Sequence, residues 1–138
     1  MFRFMIFLLC FLRPGVQQKT LTADKSFLGT WHGTSICVDR NRDTACKDEE
    51  VVYVVKAIRS VRDTVEMEAF KIINGQRVSM GVANIAYSQR SHVWSFELLA
   101  RVHAVWAFQV NDSTLDGRLV ELPSKRLIRK VHANRITE

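Results

Sequence analysis

Short strand-forming segments separated by turn signals fill the chain from residue 27 onward, and this pattern constrains the fold most. Residues 64–73 alternate apolar with acidic side chains over much of their length, as expected of a strand with one buried face. Asn74-Gly75 follows directly and suits the positive φ angles of a type I′ hairpin turn. Residues 51–55 are all β-branched or aromatic, which favours a strand. The sequence therefore predicts an all-β protein built from consecutive hairpins.

About eight strands are predicted, joined by short loops apart from a longer one between the first two strands. Residues 97–107 also fit a short helix, but the β-branched and aromatic residues around them favour strand, loop and strand. Hairpins in series predict an antiparallel up-and-down barrel, because closing the sheet removes its edges. Residues 134–138 are expected to be a tail. The predicted strands are residues 27–37, 50–59, 64–73, 77–87 (irregular around Gly81), 92–98, 102 or 104 to 110, 114–122 and 126–133.

The net charge of +6 is carried by the two ends of the chain. Residues 1–25 hold four basic side chains and one acidic one, and residues 118–138 hold six and two. The segment between them is nearly neutral. Basic ends attract phosphates or anionic surfaces, but they are more often solvated tails, so no nucleic-acid partner is predicted.

The N-terminus has the composition of an export signal, since Arg3 precedes a short apolar run from Met5 to Leu12. The run is too short for the roughly 20 helical residues that span a bilayer, so no membrane span is predicted. A misassigned start or a bare apolar anchor is the alternative, and the residues before Cys10 lack the small side chains of a lipid-attachment site. We expect an exported protein, periplasmic or secreted. Residues 1–26 would be a signal peptide and linker, and residues 27–138 one barrel domain.

Two cysteines, Cys37 and Cys46, remain once a signal peptide is removed. A close, even pair in an exported chain predicts a disulfide, which would stabilise the first loop by about 2.5–3 kcal/mol. A metal site would need three or four ligands, and no other histidine or cysteine stands at a matching spacing. A redox pair usually has about two intervening residues, fewer than separate these two cysteines.

The segment Gly29-Thr30-Trp31 resembles the first strand of lipocalin-like (calycin) barrels. In those barrels a Gly-x-Trp places the tryptophan at the closed end, and a basic residue from a late strand packs across its ring. The resemblance implies structural roles for Gly29 and Trp31, with Arg129 or Arg118 as the basic partner.

A longer pattern is similar to a family of small, uncharacterised exported bacterial proteins, which implies a fold and a compartment but no activity. Residues 39–48 are too short for the helical lid of fatty-acid-binding proteins, and nothing after Ala133 is long enough for the C-terminal helix of true lipocalins. The matching segments run from about Gly29 to Val131 and are Gly-Thr-Trp-x-Gly-Thr-Ser-x-Cys, Cys-x-Asp-Glu-x-Val-Val-Tyr, Lys-Ile-Ile-Asn-Gly, Met-Gly, a strand with a tryptophan, and Leu-Asp-Gly-x-Leu.

Large apolar side chains on the later strands are the candidate lining of an interior ligand cavity. The same side chains also suit a filled core, and this alternative stays open. Lys71, Lys56 or Arg129 would mark an anionic headgroup site if it pointed inward. The candidate ligand-binding residues are Trp94, Phe96, Trp106, Phe108, Phe70 and Met67.

No stretch carries a catalytic signature. The adjacent acids 48–50 alternate between faces of a strand and so converge poorly, and the four histidines lie on separate segments. No catalytic residue, metal or cofactor is therefore predicted. We expect a monomeric, non-enzymatic protein that binds a small apolar or amphipathic ligand. The alternatives are a filled barrel acting through its loops, as a structural or surface-interaction module, and a barrel with isomerase chemistry.

Overall fold

Eight antiparallel strands form a closed barrel in the computed structural model, which describes residues 25–137. The strands are β1 (Gly29–Cys37), β2 (Glu49–Ala57), β3 (Thr64–Ile73), β4 (Gln76–Ser88), β5 (Val93–Leu99), β6 (His103–Asn111), β7 (Thr114–Glu121) and β8 (Arg126–Ile136). Each strand pairs with the next along the chain, and β1 also pairs with β8. The predicted all-β, antiparallel up-and-down barrel of about eight strands is confirmed, and so is the strand, loop and strand at residues 97–107.

The N-terminal side of the barrel differs slightly from the prediction. Phe27 ends a short 3₁₀ turn, Lys25–Phe27, and does not begin the first strand. The predicted signal peptide lies outside the described residues. Within residues 25–137, no helical segment has the length and apolar character needed to cross a bilayer.

The β3–β4 hairpin contains both a tight turn and an irregularity. Asn74 and Gly75 have φ angles of 52° and 77°, which confirms the predicted type I′ turn. Further along, the register shifts between Ala69 and Phe70, and Gly81 has a φ of 123°. Met80 has no partner in the β3–β4 register, so the predicted irregularity is a β-bulge.

Strands β4 and β5 pair over a much shorter length than their neighbours. Only Ala86, Tyr87 and Ser88 of β4 have partners in β5. In contrast, β3 and β4 pair from Thr64 to Ile73. We call this stretch the β4–β5 seam. Within residues 25–137, residues 76–85 of β4 have no paired strand on that side.

Alternation along the strands separates an inner from an outer face. Val51, Tyr53 and Val55 of β2 point into the barrel and are 0–4% exposed. The inner faces of the other strands meet them in one apolar cluster, which fills the end of the barrel where β1 begins. Its largest fully buried side chains are Trp31, Trp94, Phe27 and Phe108.

Trp31 closes this end of the barrel together with Arg135. The indole Nε1 of Trp31 donates to the carbonyl oxygen of Phe27 at 2.9 Å. The guanidinium carbon of Arg135 lies 4.2 Å from the Trp31 ring centroid. The Arg135 Nη atoms donate to the carbonyl oxygens of Leu28 and Ser26. We call this the Trp31 end.

The prediction of Arg129 or Arg118 as the partner of Trp31 is therefore wrong. The β1–β8 register places Arg135 opposite Trp31 and Arg129 opposite Cys37. Six residues of extended strand separate the two arginines, which is about 20 Å at 3.3 Å per residue. The predicted start of the C-terminal tail, at residue 134, is also wrong, because β8 continues to Ile136.

The opposite end of the barrel carries the loop of residues 38–48, which we call the cysteine loop. The Cys37–Cys46 disulfide is formed, with the two Cα atoms 5.9 Å apart. The Asp48 carboxylate accepts a hydrogen bond from the Cys37 backbone N–H at 2.9 Å and another from Arg40. Asp39 also pairs with Arg126 of β8. These contacts hold the cysteine loop against the barrel rim.

Candidate functional site

A cavity of about 350 Å³ lies inside the barrel, between the Trp31-end core and the cysteine loop. Its walls are mostly apolar, and its polar groups come from β1, β2 and β8, together with the Trp106 indole of β6. A volume of this size lies at the lower end of the range for small-molecule sites. The lining residues are Ser35, Glu49, Val51, Tyr53, Met67, Ala69, Met80, Gly81, Val82, Ala83, Phe96, Leu98, Trp106, Phe108, Leu119 and Arg129.

Aromatic rings form one wall of the cavity. Trp106 and Phe108 of β6 stack with their centroids 5.4 Å apart and an interplanar angle of 10°. Tyr53 of β2 meets the Phe108 ring edge-on, with centroids 5.9 Å apart. Phe96 of β5 lies opposite Trp106 in the β5–β6 register. The rings fix one another, because each contact restrains the side-chain rotamer of its neighbour.

The structure places the six candidate ligand-binding residues in three different settings. Phe96, Trp106, Phe108 and Met67 line the cavity. Trp94 lies in the Trp31-end core, where its ring centroid is 5.1 Å from that of Phe27 and 4.9 Å from that of Tyr87.

Phe70 lies on the outer face of the barrel. It pairs with Val52, whose neighbours Val51 and Tyr53 point inward, so alternation sends Phe70 outward. The sequence already contained this information, because Met67 and Phe70 are an odd number of residues apart on one strand.

Arg129 forms the polar boundary of the cavity with four partners. Its Nε donates to the Ser35 hydroxyl at 2.9 Å, and its Nη2 donates to the Lys47 carbonyl oxygen at 2.7 Å. Nη2 also lies 3.2 Å from a carboxylate oxygen of Glu49. Nη1 lies 3.4 Å from Cys46 Sγ. Arg129 points inward, as an anion site would require, but the protein itself occupies its guanidinium.

Tyr53 is a buried polar residue of the cavity that was not among the six candidate ligand-binding residues. The side chain is 4% exposed, and burial raises the pKa of its hydroxyl, so the phenol stays neutral. Among residues 25–137 the hydroxyl has no hydrogen-bond partner. Alternation from Val51 would have placed Tyr53 on the inner face.

The other cavity residues absent from the prediction depend on long-range geometry. Gly81 and Met80 reach the cavity through the β4 bulge. Leu119 and Arg129 meet across the β7–β8 register. No local sequence signal marks these approaches.

The acids and histidines outside the cavity form separate surface pairs. His32 Nε2 lies 2.7 Å from Glu50, and His132 Nδ1 lies 2.8 Å from Asp116. Within the described part of the chain, no three His, Cys, Asp or Glu side chains gather as a metal site would require. The adjacent acids Glu49 and Glu50 point to opposite faces of β2, as predicted. Glu49 pairs with Arg129 and Glu50 with His32.

A second concavity, about 570 Å³, lies on the outer surface over β6, β7 and β8. It is more open than the interior cavity and is lined by the charged side chains of Asp116, Arg118 and Lys130. The interior cavity is the better enclosed and more apolar of the two, and it is therefore the candidate binding site.

The fold and the cavity define the class of this protein as an eight-stranded up-and-down β-barrel with a largely apolar interior site. Two crystal structures of point mutants of the fluorescent protein UnaG are similar to it, at 11% and 12% sequence identity and with TM-scores of 0.48 and 0.46. Each match covers 83% of this chain and 99% of the other. These similarities are too low to bear on ligand or function. No protein-family model and no curated protein matches the chain.

Proposed function

We propose that this protein binds a small apolar or amphipathic molecule inside its barrel and catalyses no reaction. The observation that carries the proposal is the cavity of about 350 Å³ with its aromatic wall. A barrel filled by its own side chains would not leave such a space, so the cavity argues against a module that acts only through its loops. Because the Arg129 charge is paired with Glu49, neither group is free for acid–base work.

Filling the cavity tests the proposal. Ala69 lines the cavity, whereas Ala86 of β4 points outward and is exposed. We expect Ala69→Phe to weaken binding of the neutral dye Nile red more than tenfold, because the added ring occupies the space the dye needs. Ala86→Phe is the matched control and should change the affinity less than twofold. Equal affinities for the two variants would show that the dye binds elsewhere and would contradict the proposal.

A second measurement tests whether the natural ligand occupies the cavity. Native mass spectrometry of protein purified from its own host should show a co-purifying small molecule, and Ala69→Phe should lose that molecule. A retained adduct in the filled variant would exclude the interior as its binding site.

We also propose that the protein is exported and works as a monomer. The basic and then apolar N-terminus supports export, and so does the Cys37–Cys46 disulfide, since such bonds persist in oxidising compartments. Protein isolated without reductant should take up no thiol-alkylating reagent at Cys37 or Cys46 until it is reduced. Two alkylated cysteines before reduction would contradict export.

A further inference from the structure

The charge at the polar boundary of the cavity is compensated within the protein. Arg129 and Glu49 are 15% and 32% exposed in their side chains and lie 3.2 Å apart. The remaining Arg129 donors face Ser35, Lys47 and Cys46. A carboxylate entering the cavity would have to displace Glu49 or lie beside it, and two like charges in a partly desolvated site repel strongly.

Neutral hydrogen-bond donors remain available in the same cavity. Tyr53 and Trp106 both line it and both contact the Phe108 ring. Neither the Tyr53 hydroxyl nor the Trp106 Nε1–H has a hydrogen-bond partner within residues 25–137. The Trp94 Nε1–H also lacks a partner, but it is buried in the core, where a ligand in the cavity does not reach it. Tyr53 lines the cavity, so a molecule bound there can reach its hydroxyl.

We propose that the cavity selects a neutral ligand, with an apolar body and a hydrogen-bond acceptor such as a carbonyl oxygen that meets the Tyr53 hydroxyl. This inference rests on the proposed binding function and adds the ligand class. The apolar body contacts the aromatic wall, and the acceptor satisfies a buried donor that is otherwise unpaired. Carboxylates are disfavoured because Arg129, the only cation among the described residues that line the cavity, is already neutralised by Glu49.

Three probes of similar length test this selectivity. Methyl decanoate carries a neutral acceptor, decanoate carries an anion, and undecane carries neither. Affinities are measured by displacement of Nile red at pH 7.4. We expect the ester to bind at least tenfold tighter than decanoate and about fivefold tighter than undecane, which is the effect of one net hydrogen bond.

Two variants assign the selectivity to its residues. Tyr53→Phe should abolish the preference for the ester over undecane and leave the affinity for undecane unchanged. Tyr87→Phe is the matched control, because the Tyr87 hydroxyl contacts His92 Nδ1 at 3.0 Å and does not line the cavity. Glu49→Gln should raise the affinity for decanoate relative to the ester severalfold, because it removes the repelling charge.

The outcomes separate this inference from the proposed function. Decanoate binding tighter than the ester would overturn the inference, and so would an ester preference that survives in Tyr53→Phe. An unchanged decanoate-to-ester ratio in Glu49→Gln would overturn the charge argument. In each of these cases apolar binding stands. If neither Nile red nor any of the three probes binds, the proposed function itself fails.

Discussion

Replacement of Arg135 by methionine should destabilise the barrel, because Arg135 holds the Trp31 end closed. The methionine keeps much of the apolar stem but removes the guanidinium over Trp31, which is fully buried. It also removes the two hydrogen bonds to the Leu28 and Ser26 carbonyl oxygens. The variant therefore isolates the charged group from the packing of the chain that carries it.

The expected magnitude follows from these contacts. A cation–π contact contributes about 0.5–2 kcal/mol, and a hydrogen bond from a charged donor about 1.5–3 kcal/mol. Leu28 and Ser26 are half-buried, so water replaces part of the lost hydrogen bonding. We therefore expect the free energy of unfolding to fall by a net amount of about 2–4 kcal/mol.

Urea unfolding followed by tryptophan fluorescence measures this loss. Arg118→Met is the matched control, because Arg118 is exposed and should change stability by less than about 0.5 kcal/mol. The m-value should be the same in both variants and the wild type. If Arg135→Met costs no more than Arg118→Met, Arg135 does not hold the Trp31 end, and the reasoning is refuted.

Two further substitutions test the strand packing and the cysteine loop. Gly33→Ala should lower the free energy of unfolding by about 3 kcal/mol, because the new Cβ would lie 2.0 Å from the His132 backbone oxygen and force β1 and β8 apart. Chemical unfolding measures this loss. Asp48 should stabilise the protein only at higher pH, because the Cys37 N–H and then Arg40 lower the pKa of its carboxyl below the ordinary value of 3.8. Asp48→Asn should therefore lower stability most near pH 7, and the difference from wild type should shrink as pH falls through the lowered pKa, in urea titrations between pH 7 and 2.

Each of these predictions has an outcome that opposes it. Gly75→Ala is the control for Gly33, since a Cβ at Gly75 meets no atom within 4 Å and only its φ of 77° is unfavourable. Equal losses in the two glycine variants would mean that the β1–β8 approach is not tight. A difference between wild type and Asp48→Asn that is constant from pH 7 to 2 would show that the Asp48 charge does not stabilise the loop.

The strands were predictable because their signals are local. The alternation of apolar and acidic side chains predicts β3. The adjacent residues Asn74 and Gly75 readily adopt the positive φ angles of the turn. The disulfide closes a short loop, so the pairing of Cys37 with Cys46 could be predicted from their spacing together with the predicted export signal.

Local sequence signals could not identify Arg135 as the partner of Trp31. Arg135 reaches the Leu28 carbonyl across 107 residues of sequence, and its position depends on the register with which β8 closes the barrel. A register shift of six residues would bring Arg129 to the Trp31 ring in place of Arg135. The cavity has the same dependence, because the bulge at Gly81 and the meeting of Leu119 with Arg129 appear only when all strands are paired.

The β4–β5 seam has a consequence for how copies of this chain meet one another. In the part of the chain that the structure describes, residues 76–85 of β4 have no neighbouring strand on one side, and the side chains of Val78, Met80 and Val82 are exposed there. A straight edge of this kind would recruit a strand from another molecule and begin an aggregate. Gly81 interrupts it with a backbone angle that other residues rarely adopt, although a Cβ there would meet no atom. We therefore expect the bulge to disfavour pairing of this edge with another molecule, in addition to shaping the interior of the barrel.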